Sequence, residues 1–141
     1  MVQIKTHGFL HITISVTDLD RATDFYQNML GCELVRKSRI MSFMKTGDDF
    51  FVLTTMPNHT KPNSDGPLDI HTTLFHHAMI VDREELNEVV GKFEAERIEY
   101  FECTSHGHTT FPGRRHIYIM DPDGNSIELV TPPQESSAAA E

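Results

Sequence analysis

The sequence predicts an α+β chain built from two β-α-β-β-β modules in tandem, residues 8–56 and 72–131, and three observations predict it. A strand, a helix and three further strands are legible twice in the same order. The second copy keeps the spacing of the first: His76, Val81 and Asp82 lie 65 positions after His11, Val16 and Thr17. Between the copies, residues 57–71 carry Pro57, Asn58, Pro62, Asn63, Ser64, Gly66 and Pro67 without periodicity, which marks a linker. The helix faces repeat after one slip, with Leu86, Val89, Val90 and Phe93 lying 64 positions after Ala22, Phe25, Tyr26 and Met29. Modules of this kind pair their sheets about a pseudo-twofold axis, because each has one apolar face to bury and a more polar face left over. One domain over residues 1–132 is expected, followed by a disordered tail over 133–141 that ends Ser-Ser-Ala-Ala-Ala-Glu.

Each element has a local cause. Residues 8–16 alternate, with Leu10, Ile12, Ile14 and Val16 on one face and Phe9, His11, Thr13 and Ser15 on the other, so they form a half-buried strand. Thr17 with Asp20 resembles a capping box. Leu19, Ala22, Phe25, Tyr26 and Met29 then recur at helical spacing until Gly31, placing a helix over about 18–30. Cys32–Arg36, Met41–Thr46 and Phe50–Met56 are runs of strand formers, the last two separated by the turn Gly47-Asp48-Asp49. In the second copy Leu74–Val81 is a strand, Asp82 with Glu85 opens a helix that ends near Arg97, and Ile98–Cys103 is a strand. Ser105–Gly113 is a loop, and the strands Arg115–Met120 and Asn125–Thr131 are joined by the tight turn Asp121-Pro122-Asp123-Gly124.

Composition removes several classes of function. Twelve Lys+Arg against 21 Asp+Glu leave a formal charge of −9, and no basic stripe is interleaved with aromatics, which argues against nucleic acid. Cys32 and Cys103 are too few for a disulfide scaffold or a cysteine-based zinc cluster and suit a reducing compartment. No apolar run approaches a membrane span and the N-terminus has no apolar leader, so a soluble cytoplasmic protein with a small-molecule partner is expected.

The chemistry-bearing residues sit on the more polar strand faces. His11 and His76 occupy equivalent places in the first strand of each module, and Glu128 interrupts the apolar alternation of the last strand. Two imidazoles and a carboxylate from three strands are the ligand set of a facial triad, which leaves coordination positions open on Fe(II), Mn(II), Zn(II) or a similar ion. Each alone reads more simply as a surface residue; their coincidence under the repeat register favours the metal. Tyr118 shares a strand face with His116, two residues earlier.

The chain resembles the vicinal oxygen chelate superfamily, which includes glyoxalase I, extradiol dioxygenases, and the fosfomycin- and bleomycin-resistance proteins. The resemblance covers about residues 8–131. It is carried by His11–Ala22, Phe25-Tyr26, Leu30-Gly31, His76–Val81 and, most specifically, Ile117–Glu128. It implies tandem βαβββ modules whose paired mixed sheets form a metal-binding cleft, with His11, His76 and Glu128 as ligands. It also implies a homodimer, because in many short members the modules enclosing one metal come from different chains. Fe(II) is the favoured ion, with Mn(II), Zn(II) or Ni(II) as alternatives, and the substrate binds through two adjacent oxygens.

Within the superfamily, Ile117-Tyr118, Asp121-Pro122, Gly124 and Glu128 follow the second half of the extradiol signature, with His108 one residue farther upstream than that signature expects. Tyr118 would then hydrogen-bond a catechol oxygen and His108 would sit near the substrate. An Fe(II) extradiol-type dioxygenase is the first expectation; a glyoxalase-like lyase or isomerase, or a fosfomycin-resistance-like thiol transferase, is the alternative. The chain departs from two members. Aligning Gly47 with Gly124 puts Phe51 where glyoxalase I has a fourth, glutamate ligand, and Asp48-Asp49-Phe50-Phe51 replaces the acid–base histidine region of the dioxygenases, leaving His108 and His116 as candidates for proton transfer. A metal-free binding protein of the bleomycin-resistance type is a further reading, against which stand the three ligands.

Overall fold

The structure, a computed structural model, describes residues 3–5, 7–56, 59–61, 66–69, 72–103 and 113–134. Most of the expected Ser105–Gly113 loop and the tail from residue 135 lie outside the described residues. The chain forms two compact units, residues 1–60 and 61–141. Each contains one four-stranded mixed sheet and one helix, the βαβββ arrangement expected of each module.

In the first unit the elements are β1 (His11–Val16), α1 (Leu19–Asn28), β2 (Glu33–Lys37), β3 (Met41–Thr46) and β4 (Asp49–Thr55). The sheet order is β1-β4-β3-β2, with β1 and β4 parallel and the other pairs antiparallel. The helix begins one residue later than expected. Asp18, in extended backbone, is its N-cap, and its Oδ1 accepts the Arg21 amide at 3.0 Å, while the Thr17 hydroxyl accepts from the Arg21 guanidinium instead. Leu19, Ala22, Thr23 and Tyr26 form the buried stripe. Tyr26 is fully buried, its ring centroid 5.2 Å from that of Phe51 on β4. Thr23 lies in this stripe because its hydroxyl is satisfied, donating to the Leu19 carbonyl at 2.5 Å and meeting Ser42 of β3 at 2.8 Å.

The second unit holds β5 (His76–Ile80), α2 (Arg83–Glu96), β6 (Phe101–Glu102), β7 (His116–Met120) and β8 (Ser126–Val130), in the order β5-β8-β7-β6. The fully buried residues Ile117, Ile119, Ile127 and Leu86 belong to its core. The β7–β8 turn is built by Asp121, whose carboxylate accepts the amides of Asp123 and Asn125 at 2.9 and 2.8 Å, while Gly124 takes φ +79°. Asp82 is the N-cap position of α2, but its side chain makes no capping hydrogen bond.

The helix α2 ends where expected, on an unexpected residue. Arg97 has φ 57° and the Ile98 amide returns to the Phe93 carbonyl at 2.8 Å, a Schellman-type ending that ordinarily uses glycine. Arg97→Gly is therefore expected to stabilise the protein by about 0.5–1 kcal/mol. An unchanged or lower urea midpoint would contradict that account of the ending.

Among the described residues no helix is long and apolar enough to cross a membrane. Cys32 and Cys103 are both free thiols, and burial pushes the Cys32 thiol up to about 11, so it is unreactive at neutral pH.

Candidate metal centre

Strand register decides which side chains of the second unit meet. β8 runs between β5 and β7, with Ala78 and Tyr118 opposite Glu128, His76 opposite Ser126, and His116 opposite Val130. Residues two apart share a face, so His76, Glu128, Tyr118 and His116 all stand on one side of this sheet, with Phe101 of β6 opposite Tyr118. His77 points the other way, and burial lowers its imidazole to about 4, which keeps it neutral.

The contacts are specific. His76 Nε2 is 2.9 Å from Glu128 Oε2, and its Nδ1 is 2.7 Å from the Thr73 carbonyl. A carbonyl only accepts, so Nδ1 carries a proton and Nε2 is the nitrogen turned to Glu128. The other carboxylate oxygen, Oε1, accepts from His116 Nδ1. Both His116 and Glu128 are buried, whereas the His76 side chain keeps 31% of its exposure. Tyr118 packs its ring against the edge of His76, centroids 5.2 Å apart, and against Phe101 at 6.0 Å.

Electrostatics follow from this packing. Burial alone would raise the Glu128 carboxyl, but the hydrogen bonds from His76 and His116 outweigh it and hold the group down at about 2. The bond to Glu128 raises the His76 imidazole, against an opposing contribution from burial. Burial first, and the neighbouring Glu128 charge second, push the Tyr118 phenol up to about 12, so it is a neutral O–H donor at physiological pH.

These residues fit a divalent ion. Two donors 2.9 Å apart match the edge of about 3 Å expected when both bind one metal at right angles with bonds of about 2.1 Å. The Thr73 carbonyl supplies the outer hydrogen bond that metal-bound histidines ordinarily make. Among the described residues no three His, Cys, Asp or Glu side chains are gathered to hold a metal. His11, the remaining ligand expected from the sequence, is in the first unit, exposed at the start of β1. His108 lies outside the described residues.

Two expectations from the sequence change in detail. The equivalent of Glu128 in the first unit is Val52, not Phe51: Glu128 pairs with Ala78, two residues past His76, and Val52 pairs with Thr13, two past His11. Aligning the glycines fails because the β3–β4 turn closes on two residues, between paired Thr46 and Asp49, whereas Met120 and Ser126 are separated by five. Phe51 instead faces Tyr26. A fourth carboxylate ligand is absent at either position. Arg115 grips Glu102 through Nε at 2.6 Å and Nη2 at 3.0 Å and reaches Asn87 of α2 at 2.6 Å. Finally, His116 is a buried partner of Glu128 rather than an open acid–base group. Its signal in the sequence was the diagonal spacing between adjacent antiparallel strands, which needs the register to be read.

The Arg115–Glu102 pair is expected to matter modestly. The Arg115 guanidinium holds the Glu102 carboxyl below its ordinary range. A depressed carboxylate contributes stability that is present above its unfolded pKa and lost as pH falls through the folded one. Both side chains remain partly exposed, so the contribution is below about 1 kcal/mol. Arg115→Ala should lower stability at pH 7 by up to about 1 kcal/mol, a loss that shrinks as pH falls through the Glu102 pKa; an equal loss in urea unfolding at pH 7 and at pH 3 would contradict it.

The two four-stranded mixed sheets, each with one helix, define a class of tandem βαβββ proteins. The chain matches the family model of the glyoxalase/bleomycin resistance protein/dioxygenase superfamily over residues 8–129, and it belongs to that family, the vicinal oxygen chelate superfamily. Among curated proteins it is similar to the metallothiol transferase FosB of Staphylococcus epidermidis, 24% identical over 86% of this chain and 79% of that one, and to FosB of Lysinibacillus sphaericus, 22% identical over the same shares. Among solved structures it is similar to a glyoxalase family protein from Bacillus anthracis, with TM-score 0.69 and 19% identity over 93% and 99% of the two chains. A lactoylglutathione lyase from Agrobacterium tumefaciens gives TM-score 0.63 and 25% identity over 89% and 94%. The fosfomycin resistance protein FosX of Listeria monocytogenes gives 0.65 and 22% over 93% and 98%.

Proposed function

We propose that this protein is a divalent-metal-dependent enzyme in which His11, His76 and Glu128 hold the ion and a small substrate binds it through adjacent oxygens. The observation that carries the reading is the facing of His76 Nε2 and Glu128 Oε2 at 2.9 Å with the outer nitrogen of His76 already engaged. The bound ion would polarise the substrate oxygens as a Lewis acid. Tyr118, neutral and on the same face, would donate a hydrogen bond to a substrate oxygen and orient it. The half-exposed edge of His76 is the open side of the site, and the buried side is closed by His116.

For the reaction, thiol transfer is favoured over oxidative ring cleavage. Support comes from the similarity to the metallothiol transferases over most of the chain. In such a transfer a thiolate attacks an electrophilic carbon, a carbon–sulfur bond forms, a carbon–oxygen bond breaks, and the departing oxygen takes up a proton. His11 stands in a different unit from the other two ligands, and the functional assembly is proposed to be a homodimer.

One experiment separates the readings. Protein purified without chelator is analysed for metal, then incubated with fosfomycin and L-cysteine while free thiol is followed, and separately with catechol in an oxygen electrode. Metal-dependent thiol loss is expected; oxygen uptake with a coloured ring-fission product would establish the dioxygenase instead. His76→Ala should abolish stoichiometric metal, and a full complement in that variant would overturn the ligand assignment.

A further inference from the structure

Glu128 is held from two sides that differ in kind. Oε2 faces His76, whose side chain is partly open to solvent, while Oε1 is bound by His116 in a place where neither partner is accessible. His116 reaches it diagonally, from opposite Val130 on β7, while Tyr118 occupies the position directly across from Glu128. A carboxylate is an acceptor only, so His116 Nδ1 must be the protonated nitrogen of that contact. With Oε1 engaged by a buried imidazole, turning the carboxylate to present both oxygens to one ion would break this hydrogen bond and leave a buried donor unsatisfied.

We propose that His116 is a positioning residue that fixes Glu128 as a single-oxygen donor through Oε2 and so keeps one more coordination position open for substrate. The proposal rests on Glu128 and His76 being metal ligands. Its function is geometric: a two-oxygen carboxylate would occupy a place that a substrate with adjacent oxygens needs. Outer hydrogen-bond partners of metal ligands ordinarily change metal affinity by about 10–100-fold when removed.

The test uses the full-length protein loaded with Co(II), whose visible absorption reports coordination number, and compares His116→Asn with His116→Gln. The Asn amide sits where Nδ1 does, whereas the Gln amide reaches toward the place of Nε2 and misses Oε1. Both variants keep a polar amide, so a structural role alone would not separate them. Expected are a Co(II) affinity within a few-fold of the parent and an unchanged spectrum for His116→Asn, with a loss of about 10–100-fold and an altered spectrum for His116→Gln. Equal behaviour of the two variants, whether parental or impaired, would overturn the proposal. Glu128→Gln serves as the control on the underlying reading: parental Co(II) binding there would remove Glu128 as a ligand and the positioning role with it. Loss of binding in Glu128→Gln alone would leave the ligand standing and overturn only the role of His116.

Discussion

Glu128→Ala is expected to lose more than about 100-fold in metal affinity, together with all metal-dependent activity, because on the proposed assignment Glu128 is itself a ligand and not merely a partner of one. Metal titration of the purified variant is the measurement. The same change has a second, separable effect on the metal-free protein. Glu128 accepts from both His76 and His116, and its removal leaves a buried imidazole donor at His116 without this acceptor. An unsatisfied buried donor costs about 1–3 kcal/mol, so the apo variant should also unfold at lower denaturant. Glu128→Gln retains the volume and one oxygen acceptor and should recover part of the stability but none of the metal. A variant at Glu128 that binds metal as the parent does would remove the site altogether.

Tyr26→Ala should produce the largest loss of stability, about 3–5 kcal/mol. Tyr26 is fully buried, and its ring meets Phe25 edge-on at 5.4 Å and Phe51 at 5.2 Å. It is the contact through which α1 seats on β4, the strand that pairs with β1 and thereby fixes where His11 begins. Truncation leaves a cavity of aromatic size beside Phe25 and Phe51, and close-packed interiors relax only partially into such a space, so the cost falls toward the upper end of that range. Chemical denaturation followed by circular dichroism checks it. A loss under 1 kcal/mol would mean that α1 is not held through this ring.

The fold was open to reading because its determinants are local and repeated. Alternation in residues 8–16, the stripe Leu19, Ala22 and Tyr26, and the Asp121–Gly124 turn each act within a few residues, and the spacing from His11 to His76 reveals the duplication. The strand β3, Met41–Thr46, lies where its run of strand formers places it. Helix starts were less legible: Thr17 and Asp18 are both good caps, and only backbone conformation chose Asp18.

The sequence by itself determined the duplicated βαβββ plan, the histidines at corresponding places, and the glutamate in the last strand. Tertiary structure decided their partnerships. Which face a strand residue occupies depends on pairing register, and a shift of one residue exchanges the faces. That is why Val52, and not Phe51, answers Glu128, and why His116 joins Glu128 while its neighbour Arg115 turns to Glu102 and Asn87. The hairpin lengths that set these registers, two residues in one module and five in the other, are properties of turn geometry across strands, which linear spacing does not carry.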